Sequence, residues 1–124
     1  MTVLLIAVGG GLGAALRFWT DGAIRSRWQP ALPVATIAIN TAGSLLIGVL
    51  AGLLAAGALA PGPETVLSVG LCGGFTTFST AMVESARLWR VGDRRRCVLN
   101  LVLTMVATLA AAAVGWTVST SIAA

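Results

Sequence analysis

The chain has 124 residues, of which 57% are hydrophobic and only 10% are charged, whereas a soluble domain averages about 25% charged residues. The eight basic residues are all arginine, there are four acidic residues and no histidine, and the net charge is +4. This composition excludes a histidine-based triad or metal site, and four acidic residues are too few for a carboxylate-rich hydrolase site. So few charges are typical of a protein embedded in a membrane.

Four stretches are long and apolar enough to cross a bilayer, which requires about 20 mostly apolar residues. They cover roughly residues 2–18, 34–56, 66–83 and 97–118. We therefore predict one all-α transmembrane domain over residues 1–124, built as a bundle of four helices. The first stretch has no basic segment before it, so we interpret it as a retained helix and not as a cleaved signal peptide.

The connections between the spans carry proline turn signals and the basic residues. All eight arginines fall within Arg17–Arg27 or Arg87–Arg96, at the first and third connections. By the positive-inside rule, these two connections are cytoplasmic, and both termini and the second connection lie outside. The third connection is interpreted as this topology signal, with a lipid-headgroup or nucleic-acid site as the minor alternative.

Polar residues inside a span are costly in hydrocarbon, so each requires an explanation. The glycine-rich Gly9–Ala14 of the first span favours close helix packing, and Arg17 is expected to extend toward the membrane interface. Asn40 lies well inside the second span. Its amide predicts either an interhelical hydrogen bond or a place on a transport pathway, and the sequence leaves both open.

The third span contains Gly70–Thr80, in which paired glycines precede Thr-Thr and Ser-Thr. These residues are poor formers of a mid-span helix, so we predict a break near residues 73–77. Freed carbonyl groups would suit a hard cation, whereas freed N–H groups and hydroxyls would suit an anion. A tightly packed kink without a ligand is the alternative.

In the fourth span, Asn100, Thr104 and Thr108 recur at i, i+4 spacing and share one helix face. They form either a polar track or a set of side chains that bond back to their own helix. Cys72 and Cys97 are expected to be small packing residues, because they are too few and too embedded for a disulfide framework or zinc site.

No pair of acidic residues lines the spans, so a proton-coupled mechanism lacks the carboxylates that would bind and release the proton. A passive pathway of amide, hydroxyl and ring groups fits better and suits a small, strongly hydrated anion. The ring edge of Phe78 carries positive partial charge and could face such an anion.

Three motifs resemble those of the small four-helix fluoride channels called the Fluc or CrcB family. They are Gly10–Phe18 in the first span, Ala35–Gly48 in the second and Gly70–Thr80 in the third, which is the most specific. Length and number of spans also match, so the resemblance covers essentially the whole chain.

The resemblance implies a fluoride-selective channel that passively exports fluoride across the cytoplasmic membrane, as a multi-pass protein of the lipid bilayer, and lowers fluoride toxicity. It also implies an antiparallel dimer with two pores and a structural sodium ion (Na+) on the two-fold axis. By motif position, the backbone carbonyls of Gly73 and Thr76 from each subunit hold the sodium. The fluoride pathway consists, by the same matching, of Asn40, Phe78, Ser79, Thr80, Thr104 and Thr108.

The chain departs from the family pattern in two side chains and in its charge. Ala81 stands where a second pore phenylalanine is usual, and Asn100 stands where the fourth-span track usually begins with tyrosine. An antiparallel homodimer needs a chain that inserts into the membrane in both orientations, yet all eight arginines lie on one side of the membrane and none on the other. We therefore hypothesise a heterodimer with a related, oppositely oriented subunit, beside the simpler dimer of the chain with itself.

Three other functions remain as alternatives. A small four-helix multidrug/proton exporter has a similar length, but it needs a carboxylate within the first span, residues 2–18, which has none. An accessory membrane subunit would explain the glycines but not the clustered polar residues. An enzyme fits least, because no nucleophile–base pair is available.

Overall fold

The computed structural model of the protein describes residues 1–123, and all regular structure within them is helical. The helices in chain order are α1 (Thr2–Arg27), α2 (Val34–Ala55), α3 (Pro61–Thr65), a π-helical segment (Val66–Cys72), α4 (Gly73–Phe75), α5 (Phe78–Arg90) and α6 (Arg94–Ala123). The pieces from Pro61 to Arg90 together make the third of four stretches long and apolar enough to span a membrane. The predicted all-α, four-span fold is therefore confirmed.

Two helices, α1 and α6, extend beyond the predicted apolar spans, and polar side chains stabilise these extensions. Helix α1 continues past residue 18, and the side chains of Asp21 and Arg25 pair one turn apart at 2.8 Å in this extension. Helix α6 begins before residue 97, at a point where Asp93 accepts a hydrogen bond from the backbone N–H of Arg96 at 3.1 Å. An ion pair and a helix cap thus stabilise the parts of α1 and α6 that extend into the arginine-rich regions.

Helices α2 and α6 pack against each other through glycines. A Cβ added at Gly48 would collide with the backbone carbonyl of Ala112, and one added at Gly115 would collide with that of Leu45. Lipid offers no hydrophobic drive for helix association, so close backbone approach supplies the dispersion contacts that hold such a pair. Cys72 and Cys97 are both free and buried, consistent with packing roles.

Helix α1 packs in the same way against the π-helical segment and α4. A Cβ at Gly13 would meet the backbone of Leu71 and Phe75, and one at Gly74 would meet the carbonyl of Gly10. The paired glycines Gly73 and Gly74 are themselves helical, so they do not form the break. At Gly74 the glycine instead permits the close approach of α1.

The break in the third span lies at Thr76 and Thr77, within the predicted region. Both have extended backbones, with φ/ψ of −78°/160° at Thr76 and −148°/117° at Thr77. The chain then restarts as α5, where the Thr77 hydroxyl accepts from the N–H of Thr80 at 3.2 Å as an N-cap. The break is thus built from a capped helix start and not from glycine flexibility.

An ion pair ties the end of α1 to α5. Arg25 Nη2 lies 2.6 Å from Glu84 Oε1, and the Glu84 side chain is only 12% exposed. We expect Glu84→Ala to lower the free energy of unfolding by about 1–3 kcal/mol, because it leaves the half-buried Arg25 with one carboxylate, Asp21, and a long hydrogen bond of 3.5 Å to the Thr36 hydroxyl. Thermal melting of the purified protein in detergent measures this change.

The control for that prediction is Glu64→Ala. Glu64 takes part in none of the ion pairs between residues 1 and 123, so its removal should change the melting temperature little. Equal melting temperatures for the two variants would contradict a stabilising role for the pair of Arg25 and Glu84.

Candidate ion pathway

The side-chain amide of Asn40 forms hydrogen bonds with the backbone at the break in the third span. Its Nδ2 donates to the carbonyl oxygen of Thr77 at 2.8 Å, and its Oδ1 accepts from the N–H of Thr77 at 2.7 Å. Asn40 is only 7% exposed, so these bonds satisfy two backbone groups that the break removes from the helical pattern. The interhelical bond left open by the sequence is therefore present, with backbone atoms as its partners.

Arg17 also forms a hydrogen bond with a backbone group next to the break. Its Nε donates to the carbonyl oxygen of Gly74 at 3.2 Å. The Gly74 carbonyl is available to Arg17 because α5 starts anew at Phe78 and leaves that carbonyl without the N–H that would continue the helix. A guanidinium group is well suited to such an acceptor, since it carries several donors and no acceptor. The expected extension of Arg17 toward the membrane interface stays a prediction.

Two further carbonyls are left free by the same rearrangement. In a continuous helix the carbonyl of Gly73 would accept from the N–H of Thr77, and that of Thr76 from the N–H of Thr80. The Thr77 N–H is instead bound to Asn40, and the Thr80 N–H is bound to the Thr77 hydroxyl. Within residues 1–123, neither carbonyl oxygen accepts a hydrogen bond from protein.

A cavity of about 250 Å³ lies against the break, between α2 and α6. It brings together four of the residues predicted for the fluoride pathway, although they come from three separate spans. Its lining consists of Asn40, Ser44, Ile47, Thr76, Thr77, Phe78, Thr104 and Thr108. We call it the first cavity; it has no acidic or basic side chain in its wall.

The second cavity, of about 310 Å³, lies on the α1 side of the break. Its lining is Ala14, Arg17, Phe18, Asp21, Thr36, Ile39, Thr77 and Thr80. Thr80 therefore belongs to this cavity and not to the first. The predicted pathway residue Ser79 lines neither, and its hydroxyl lies 3.4 Å from that of Thr77.

Among residues 1–123, Thr77 alone lines both cavities, and sequence reasoning did not single it out as a site residue. Its hydroxyl lies 3.0 Å from the Thr80 hydroxyl and its backbone is held by Asn40. The feature that could have identified Thr77 from the sequence is its position just before a helix start, where threonine is a favoured N-cap residue.

A family model described as "CrcB-like protein, Camphor Resistance (CrcB)" matches residues 4–116. The chain belongs to the CrcB family. This confirms the predicted family, and together with the four spans it makes the protein a multi-pass membrane protein.

Curated relatives extend the match over nearly the whole chain. The "Fluoride-specific ion channel FluC 1" of Leifsonia xyli subsp. xyli is 40% identical over 115 residues, which cover 93% of this chain and 84% of the relative. The "Fluoride-specific ion channel FluC 2" of Rhodococcus jostii is 41% identical, with 94% and 96% covered. The "Fluoride-specific ion channel FluC 1" of Symbiobacterium thermophilum is 42% identical, with 94% and 98% covered.

The two side-chain departures from the CrcB pattern lie together in the fold. Asn100 Nδ2 donates to Ser85 Oγ at 2.9 Å, and Ser85 Oγ donates to the carbonyl oxygen of Ala81 at 2.8 Å. Asn100 is 1% and Ala81 2% exposed, and neither lines the first cavity. The shared face predicted for α6 is thus divided: Thr104 and Thr108 face the cavity, and Asn100 faces α5.

Proposed function

We propose that this CrcB-family chain forms a fluoride-selective channel that exports fluoride passively across the cytoplasmic membrane. The observation that carries the proposal is the first cavity, where Asn40, Phe78, Thr104 and Thr108 meet at membrane depth without a charged side chain. A pathway without fixed charge can bind a small anion strongly enough to admit it and weakly enough to release it.

The donors of this pathway are neutral groups. The second N–H of the Asn40 amide remains after the first is bound to Thr77. The Phe78 side chain is 78% exposed, so its ring edge is available at the cavity. A proton-coupled exporter is not supported, because Asp21, the one acid of α1, is paired with Arg25 at 2.8 Å.

A structural sodium ion fits the two free carbonyls of Gly73 and Thr76. Carbonyl oxygens are ligands that hard cations prefer, and unpaired backbone groups at membrane depth require a partner. Two carbonyls are too few for a cation site, and two chains would supply four. The sodium would supply positive charge that holds the two breaks together.

The assembly in this proposal is an antiparallel dimer. Because all eight arginines lie within Arg17–Arg27 and Arg87–Arg96, the chain has a strong preference for one orientation. The second subunit is then a related chain with the opposite bias. Robust fluoride flux from this chain expressed alone, with antiparallel copies captured by crosslinking, would overturn the heterodimer and leave the channel function intact.

Fluoride-electrode measurements on proteoliposomes test the function directly. We expect rapid fluoride efflux, and little chloride efflux, from this chain alone or coexpressed with its partner. Phe78→Ile should lower the fluoride rate at least about tenfold, equivalent to about 1.4 kcal/mol in the barrier, by removing the ring edge. The exposed side chain makes loss of folding unexpected.

The matched control is Leu109→Ala, an exposed position on α6 that lines neither cavity. It should conduct like the parent chain. Absence of fluoride flux from both the single chain and the coexpressed pair would defeat the proposed function.

A further inference from the structure

A pocket with both polar and apolar walls lies where the first and third connections meet. Its volume is about 240 Å³, and its lining consists of Leu32, Asp93, Arg95, Arg96 and Leu99. Leu32 belongs to the first connection, and the other four belong to the third connection or to the start of α6. We call it the arginine pocket; it shares no residue with either cavity beside the break.

The two arginines of this pocket differ in their partners. Arg96 Nη1 donates to Asp93 Oδ2 at 2.8 Å, and the backbone N–H of Arg96 donates to Asp93 Oδ1 at 3.1 Å. Arg95 takes part in none of the ion pairs or side-chain hydrogen bonds between residues 1 and 123. The pocket therefore holds a guanidinium group without a protein partner, next to a carboxylate whose two oxygens are both bound.

The pocket lies at the depth expected for lipid headgroups. Trp89 is 53% exposed, and the guanidinium of Arg94 lies over its ring at 4.9 Å from the ring centre. Tryptophan near the end of a span is typical of the membrane–water interface. Leu99 lies within the predicted apolar span, so the pocket is bounded by guanidinium groups and by hydrocarbon-facing side chains.

An exposed apolar stripe on α6 continues from Leu99 into the span. Its members are Leu99, Val102, Leu103 and Val106, each 40–55% exposed. Their i, i+3, i+4, i+7 spacing places them on one helix face, over about 10 Å of helix length. An acyl chain can lie along such a face while its headgroup remains at the interface.

We propose that the arginine pocket binds the phosphodiester of an anionic phospholipid, in the leaflet next to the arginine-rich connections, with an acyl chain along the α6 stripe. A guanidinium group donates two parallel hydrogen bonds to a phosphate, and Arg95 has these donors available. Two arginines and one aspartate give the pocket a net charge of +1, which complements the phosphate. A zwitterionic lipid fits less well, because the carboxylate that would receive its ammonium group is bound by Arg96.

A lipid bound here would stabilise the folded protein. It would contact Leu32 of the first connection and Arg95 of the third at the same time, and a ligand that binds only the folded state raises its stability. The site is separate from both cavities, so this effect is independent of ion transport.

Native mass spectrometry of the purified protein in detergent, titrated with dioleoylphosphatidylglycerol, measures the binding. We expect Arg95→Gln to weaken the tightest binding step at least about tenfold, because it removes the charged donor pair. The same change should abolish the rise in melting temperature that the lipid produces in the parent chain. Arg95 is exposed and unpaired within residues 1–123, so the variant is expected to fold.

The matched control is Arg90→Gln. Arg90 is another exposed arginine at the end of α5, outside the pocket and outside the ion pairs of residues 1–123. Its loss should weaken the same binding step by less than about twofold. A similar loss in both variants would show diffuse attraction to a basic surface and would overturn the site.

Other molecules identify the ligand class. We expect dioleoylphosphatidylcholine, glycerophosphoglycerol and inorganic phosphate each to bind at least about tenfold more weakly than the anionic lipid, because each lacks the net charge or the acyl chains. Equal binding of phosphatidylcholine would contradict recognition by charge. Equal binding of either water-soluble phosphate would contradict a membrane lipid as the occupant.

Asp93→Asn gives a test of opposite sign. Asparagine keeps an acceptor for the N–H of Arg96, so the cap of α6 remains, while the side chain of Arg96 is released. Phosphatidylglycerol should then bind about two to three times more tightly, because the pocket loses its one negative charge. Weaker binding in this variant would contradict recognition through the phosphate.

Discussion

Replacing Asn40 with leucine is expected to abolish fluoride efflux and to lower the free energy of unfolding by about 2–6 kcal/mol. Leucine has nearly the same shape but cannot bond to Thr77, whose N–H and carbonyl both depend on the Asn40 amide at 2.7 and 2.8 Å. Each buried group left unpaired costs about 1–3 kcal/mol, and at membrane depth no bulk water replaces the lost partner. The change also removes a donor from the wall of the first cavity.

The measurements are melting in detergent and fluoride efflux per folded protein in proteoliposomes. Thr41→Val is the neighbouring control, because within the described residues the Thr41 hydroxyl bonds only to the carbonyl of Ile37 in its own helix, at 2.7 Å. It should behave like the parent chain in both assays. Unchanged stability in Asn40→Leu would refute the structural role of Asn40, and unchanged flux would refute its pathway role.

Gly13→Ala is expected to destabilise the protein by about 3 kcal/mol or to prevent its folding. The added methyl group would collide with the Leu71 carbonyl and would lie 2.8 Å from the Phe75 N and 3.1 Å from the Gly74 carbonyl carbon. All of these are backbone atoms, so no side-chain rotation can relieve the overlap. Overpacking typically costs about 1–3 kcal/mol, and here relief would have to shift the segment that leads into the break.

The control lies two residues away in the same glycine-rich motif. A Cβ at Gly11 meets nothing within 4 Å, so Gly11→Ala should be neutral or stabilise α1 by up to about 1 kcal/mol. Size-exclusion profiles and melting curves of both variants measure the difference. Equal stability of the two would contradict the packing of α1 against the π-helical segment.

This pair of glycines illustrates the limit of sequence reasoning about packing. The motif Gly9–Ala14 predicts close helix contact, but every glycine in it satisfies the same rule. Only the rotation of α1 against its neighbour makes Gly13 indispensable and leaves Gly11 in open space. The third span shows the same limit, because the glycines led to the correct region for the break while the break itself lies at Thr76 and Thr77.

The sequence by itself determined the all-helical, four-span architecture, because a chain with so few charges must satisfy its backbone within each span in a bilayer. The motifs also determined the family, and the arginines indicated one preferred orientation. Tertiary structure decided which polar groups meet: Asn40 with Thr77, 37 residues away, Arg17 with Gly74, and Asn100 with Ser85. Spacing along a helix defines a face, but the partner of that face depends on how the helices rotate and pack, which local sequence does not specify.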